Sequence, residues 1–287
     1  MGNNIFAEYE VKKTHKWVNI VIYIVLAIWT LVNLFPIYWM FTFSLKDNSE
    51  IFGKNIAGLP TKWLWSNYSQ AWNTGNMPRF FANSILITVV TIALTLIASI
   101  MATYAVTRIV WKGAKFTNSL FMLGLTIPVH SALVPIYKVL ISLGLTNSYS
   151  ALILPYSAFS LAMGILICTG FMQEIPKDLD EAAYIDGCSR WGTFFKVIVP
   201  LMKPAVATVS IYTFLQCWNE FMFASIFNTK KEYMTIPAGV QQLFGSYTTD
   251  WGPIGAALAI ASFPTILAYI FLSRKIQDSF IAGAVKG

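Results

Sequence analysis

Residues 179–191 read LDEAAYIDGCSRW. With Asp178, this stretch places four acidic groups in a chain that is 56% hydrophobic and only 11% charged. It follows Pro176, and Asp178 with Glu181 three residues later has the spacing of a capping box, with Asp in place of Ser or Thr. Gly187 is a residue that can take a left-handed C-cap. The pattern predicts a helix over Leu179 to Asp186, about 12 Å long at a rise of about 1.5 Å per residue. That is far too short to cross a bilayer core of about 30 Å. Ser189 is a candidate cap for a second helix, in which Trp191 to Val199 are mostly apolar and Pro200 is expected to force the end. The chain here reads as helix, glycine turn, helix. Ala182 and Ala183 leave the first helix with little side-chain bulk, and Asp180, Glu181 and Asp186 are available to pair with basic groups.

The flanks have a different composition. Mean hydropathy is +0.59, and six stretches are long and apolar enough to span a membrane: Trp17 to Phe43, Ser84 to Val106, Phe116 to Leu143, Ala151 to Met172, Ala205 to Phe227 and Ile254 to Leu272. The first is too long for a cleaved signal peptide and lacks a small-x-small cleavage site after it. The fold class expected is an all-α polytopic membrane protein with six transmembrane helices.

Charge placement orients it. With the N-terminus inside, the inner segments hold Lys12, Lys13, Lys16, Arg108, Lys112, Lys115, Lys177, Arg190, Lys196, Lys203, Arg274, Lys275 and Lys286. The outer segments hold only Lys46, Lys54, Lys62, Arg79, Lys230 and Lys231. Both termini are therefore expected in the cytoplasm. The chain then divides into an inner segment 1–16, a first helix 17–43, an external loop 44–83, a five-helix core 84–273 with an inner loop 173–204, and an inner tail 274–287. The net charge of +7 reports topology and needs no nucleic acid to explain it.

Several features qualify this picture. The outer run LPTKWLWSNYSQAW, residues 59–72, carries Trp63, Trp65, Tyr68 and Trp72; these fit a belt at headgroup level, a ligand-binding role being the alternative. A second outer run, YMTIPAGVQQLFGSYTTDW, residues 233–251, reads as a loop that packs on or gates an external mouth. Pro128 and Pro135 interrupt the third stretch around His130 and Ser131, either as a packing kink or with His130 lining a pathway. In FLQCWNEFMFA, residues 214–224, Gln216, Asn219 and Glu220 sit on adjoining turns, and Glu220 is expected to face the interior. Its charge costs several kcal/mol there unless it is paired, protonated or wet. Cys168, Cys188 and Cys217 form neither a disulfide nor a metal pattern, and His15 and His130 are isolated, so no metal site is expected. A phosphate-binding Gly-x-x-x-x-Gly-Lys-Ser/Thr loop is also missing.

The run EAAYIDGCSRWGTFFKVIVP, residues 181–200, closely resembles the EAA loop of ABC importer permeases: Glu-Ala-Ala, three residues, Gly, nine residues, then Ile-x-Leu-Pro. Val197 and Val199 replace the two aliphatic positions before Pro200. The ending IAGAVKG, residues 281–287, with WNEFMFA and TIPAGV, is similar to the maltose-permease G-subunit class. The likeness runs along essentially the whole chain, most specifically from Ser84 to Gly287. It implies a type I ABC importer transmembrane domain in the cell membrane of a bacterium or archaeon, acting as a transport subunit and not as an enzyme. It further implies a second homologous permease completing a heterodimeric pore, two ATP-binding subunits that use ATP and Mg, and an extracytoplasmic sugar-binding protein. Asp180, Glu181, Ala182, Ala183, Asp186 and Gly187 would form the ATPase-coupling contact, and Gly283, Val285, Lys286 and Gly287 a tail contact. His130, Gln216, Asn219 and Glu220 are cavity-lining candidates. A secondary transporter using Glu220 as an ion or proton relay is the rival reading, with no inverted repeat or second buried acid to support it. A membrane-embedded enzyme lacks any constellation for nucleophilic or metal chemistry.

Overall fold

The computed structural model describes residues 16–244 and 249–284, and among them the secondary structure is helical, without strands. Among the described residues four helices are long and apolar enough to cross a membrane: α1 (Lys16–Phe43), α4 (Met77–Thr107), α7 (Ser150–Glu174) and α14 (Trp251–Ala284). Two outer helices, α2 (Asn48–Ile51) and α3 (Ser66–Asn73), lie between α1 and α4. Two further spans are bent, giving up to six crossings.

The third span consists of α5 (Ala114–Leu123) and α6 (Leu133–Ser142), joined by 3-10 turns and bent by 93°. Its break falls at Ile127 and Pro128, both extended, with ψ 118. A proline forces the residue before it out of the helical region. Pro135, expected to break the span as well, instead sits in the first turn of α6, where no amide hydrogen is needed.

On the inner side come α8 (Asp178–Ile185) and α9 (Arg190–Thr193), a π-helical segment Phe194–Ile198, and α10 (Val199–Leu201). Pro200 does not end this run as the sequence suggested. The π turn, in which Val199 N–H donates to Phe194 O, opens the ladder just ahead of the proline ring. The bend of 71° comes after Leu201, and Pro204 opens α11 (Lys203–Asn219). At about 1.5 Å per residue α11 is about 26 Å long, slightly less than the hydrocarbon core. After a break at Glu220, α12 (Met222–Phe227) completes the fifth crossing, and α13 (Ile236–Gln241) lies in the following outer loop.

The centre of the bundle is α4 lying along α7, with α11 against both. Ser84, Thr88, Thr91, Thr95, Ser99 and Thr103 form the buried stripe of α4. Opposite it on α7, a Cβ on Gly164 would stand 3.0 Å from Ser99 Cβ. Lipid supplies no hydrophobic drive between helices, so close approach of small residues is what holds such a pair. An inner apolar cluster joins Ile100, Tyr104, Cys168, Met172, Phe194, Ile198 and Met202. An outer one surrounds Phe80, Trp218, Phe223 and Phe227. By contrast, α1 exposes most of its length.

One boundary and two outer-loop side chains differ from expectation. The second span begins at Met77, inside what read as external loop, with Pro78 in its first turn. Two polar residues near its outer end are satisfied by the outer loop: Asn83 Nδ2 donates to Glu232 O and Met234 O at 2.9 Å each, and Ser84 Oγ accepts from Ile236 N–H at 2.9 Å. Of the aromatic belt, Trp63, Trp65 and Trp72 are exposed, but Tyr68 turns inward to a 2.8 Å hydrogen bond with Ser44 Oγ. Lys46, counted among the outer charges, is fully buried, its Nζ donating to Asn55 O and Gly58 O at 2.7 Å and Ile56 O at 3.3 Å.

Candidate functional site

The inner helix-turn-helix forms through local backbone chemistry. Helix α8 starts one residue before the predicted point: Lys177 is the N-cap and makes no side-chain cap, while Asp178, Asp180 and Glu181 all fall in the first turn. Lys177 is already helical at φ −68, ψ −24 behind Pro176, so no capping box forms. The acids instead favour the positive end of the helix dipole. At the other end Gly187, with φ +83, lets Cys188 N–H reach Ala183 O at 2.9 Å and its own N–H reach Tyr184 O at 3.0 Å. This pair of bonds is a Schellman motif. Ser189 Oγ then accepts from Gly192 N–H at 3.1 Å and caps α9.

The first helix has two faces. Glu181, Ala182, Asp186 and Gly187 are exposed, as a contact surface requires. Asp180 and Ala183 are not, a correction to their grouping with the outward residues: spaced three apart, they share the buried face. Asp180 Oδ2 lies 2.8 Å from Arg108 Nη1 at the inner end of α4, with side-chain exposures of 12% and 6%. Arg108 Nη2 also donates to Met172 O at 2.7 Å and Ile175 O at 2.5 Å, carbonyls at the end of α7. The outward surface gains a residue the sequence reading passed over, Ile185, 86% exposed at the tip. The helical period shows it once Asp180 and Ala183 are known to face in, whereas Tyr184, four residues after Asp180, lies towards their side and interacts with Tyr104 of α4. Trp191 and Phe195 extend this apolar surface.

The other candidates separate. Glu220 is half-buried at the break in the fifth span. Its Oε2 accepts from Tyr156 OH at 2.5 Å and Ala224 N–H at 3.1 Å, and its Oε1 from Phe223 N–H at 3.0 Å. The carboxylate caps α12 and ties it to α7, so it is paired as burial demands. Phe223 also brings in the other broken span: its ring lies 5.7 Å from that of His130, which is exposed, and stacks at 5.9 Å on Phe159. Gln216 and Asn219 are exposed on α11; Gln216 Nε2 donates to Tyr212 OH at 3.2 Å and Asn219 Nδ2 to Leu215 O at 2.9 Å. Tyr212, Gln216 and Asn219 thus share one polar face of a spanning helix, which lipid does not solvate. Among the described residues there is no cluster of three His, Cys, Asp or Glu able to hold a metal. Gly283 falls within α14, while Val285, Lys286 and Gly287 lie outside the described residues.

Residues 94–280 match the family model described as binding-protein-dependent transport system inner membrane component. The chain is 37% identical to the sulfoquinovosyl glycerol transport system permease protein SmoH of Agrobacterium fabrum, over 90% of each chain. It is 34% identical to the trehalose/maltose transport system permease protein MalG of Thermococcus litoralis, over 90% of this chain and 93% of that one. A crystal structure of a bacterial ABC transporter involved in the import of the acidic polysaccharide alginate superposes with a TM-score of 0.81 at 20% identity, covering 90% of this chain and 96% of that chain. Its fold is therefore shared. This chain belongs to the family of binding-protein-dependent transport system inner membrane components, and is a multi-pass plasma-membrane permease of the ABC importer type with a type I transmembrane fold.

Proposed function

We propose that this permease imports a sugar, an oligosaccharide in the simplest case, which a separate extracytoplasmic binding protein delivers. The relatives named for sulfoquinovosyl glycerol and for trehalose and maltose support that substrate class. In this reading a second, homologous permease completes the pore. Two ATP-binding subunits, which carry the ATP and Mg, dock on the outward face of α8 through Glu181, Ala182, Ile185, Asp186 and Gly187. Tail residues Gly283, Val285, Lys286 and Gly287 reach the same subunits. The polar face of Tyr212, Gln216 and Asn219, with His130, lines the sugar path.

The observation that carries this reading is the form of α8: an eight-residue helix closed at its C-terminus by the Schellman turn, acidic and apolar on its free face and clamped on the other to α4 and α7. Such a peg can pass on a displacement without deforming. ATP drives the pore through it only to the extent that docking is stronger in one state of the pore than in the other. The relay reading of Glu220 gains no support, because both carboxylate oxygens are engaged in capping and bracing. Glu181→Lys in the co-expressed complex tests the proposal. Uptake and binding-protein-stimulated ATP hydrolysis are both expected to be lost, and normal values for both in an assembled complex contradict it.

A further inference from the structure

Helix α8 is joined through the chain to α7 on one side and, by way of α9, to α11 on the other. The second span has no such connection. We infer that Arg108 is the positioning residue that makes the inner end of α4 move with the docking helix, so that α4, α7 and α8 answer the ATPase as one body. This rests on the docking role proposed above for the opposite face of α8.

Arg108 is 72 positions from Asp180 in sequence and occupies the C-cap position of α4, its own N–H bonded to Tyr104 O. Its guanidinium holds three acceptors on two elements: Asp180 Oδ2 in the first turn of α8, and the Met172 and Ile175 carbonyls closing α7. Within the helix end, Met172 O accepts only a 3.3 Å bond from the C-cap Ile175 N–H, and both carbonyls lie at its negative end, so a cation is favoured there. The planar fork is what allows one side chain to grip both elements; a lysine, a point charge on a flexible stem, cannot hold all three in fixed geometry. One turn earlier on the same helix, Tyr104 packs its ring 5.0 Å from that of Phe194 in the π segment. Helix α4 therefore touches both arms of the inner helix-turn-helix, α8 through Arg108 and the following arm through Tyr104.

The test uses the complete complex, permease pair with ATP-binding subunits, in proteoliposomes. ATP hydrolysis and uptake are measured with and without the cognate binding protein, loaded by incubation with a mixed oligosaccharide hydrolysate. Arg108→Lys and Asp180→Asn are expected to keep the wild-type content of ATP-binding subunits and the wild-type KM for ATP. Stimulation by the binding protein and sugar moved per ATP are expected to fall about tenfold, the scale of one lost charge-assisted hydrogen bond. Unchanged stimulation in both variants overturns the inference. So does a loss of activity that merely tracks a loss of assembled complex, with normal coupling in what remains. Glu181→Lys, measured alongside, separates the two claims. Its failure to transport, with the Arg108 and Asp180 variants normal, rejects the clamp and leaves docking standing; normal behaviour of Glu181→Lys rejects docking itself.

Discussion

The guanidinium of Arg108 and the carboxylate of Asp180 meet at 2.8 Å in a site where neither side chain is more than 12% exposed. A buried pair of this kind penalises the removal of one partner more than the removal of both, because the survivor keeps its charge without its counter-charge. Asp180→Ala is expected to destabilise the inner end of the bundle by about 3–5 kcal/mol. Arg108→Met with Asp180→Leu is expected to destabilise it much less. Thermal unfolding of the purified permease in detergent checks the order, and equal losses in the single and double variants would go against it.

Glu220 braces the break between α11 and α12. Glu220→Ala removes the cap of α12 and the acceptor of Tyr156 OH, at a cost of about 1–2 kcal/mol for the cap alone. Uptake should fall accordingly. Glu220→Gln keeps an acceptor oxygen and is expected to retain most of the uptake, with or without a proton gradient. Abolished uptake in Glu220→Gln at full complex assembly would restore the relay.

Gly187 holds its turn by conformation alone. A Cβ there meets nothing within 4 Å, yet φ is +83, so Gly187→Ala should cost about 1–2 kcal/mol of left-handed strain, and Gly187→Asn less. Hydrogen exchange at the amides of Gly187 and Cys188, which close the Schellman motif, should accelerate in that order. Equal protection in all three proteins would show that the turn does not need glycine.

The outer loop carries a pH dependence. Burial opposes ionisation of Glu50, but hydrogen bonds from Thr61 N–H, Asn55 Nδ2 and Thr61 Oγ1 outweigh it and hold its carboxyl below the usual range. A depressed pKa in the folded state means that the stabilisation is complete above the unfolded value and is lost as pH falls through the lowered folded value. Proteolysis within 50–61 should therefore be slow at neutral pH and rise only in strong acid. Glu50→Gln should already be sensitive at neutral pH. A wild-type profile in that variant would contradict this role.

The spans were legible because bilayer thickness imposes a length that any apolar run either meets or does not; Ala151 to Met172 and Trp17 to Phe43 came out within about two residues. The glycine turn and the Ser189 cap were legible because those residues act locally. What stayed hidden depended on distant partners. Asn83 read as loop because the carbonyls that satisfy it come from Glu232 and Met234. Asp180 read as outward because Arg108, counted only for topology, pairs with it across 72 positions. Glu220 was placed inside a continuous helix because nothing in its neighbourhood reveals that Tyr156 and two amides turn it into a cap.

Ile185 tests the central claim most directly. It is 86% exposed at the tip of α8 and, if this helix is the joint with the ATPase, is covered only in the assembled transporter. A photoreactive amino acid at Ile185, irradiated in native membranes, should cross-link the ATP-binding subunit, while the same group at Trp65 on the outer loop should not. Cross-linking of that subunit from Trp65, or its absence from Ile185 in an actively transporting complex, would contradict the account.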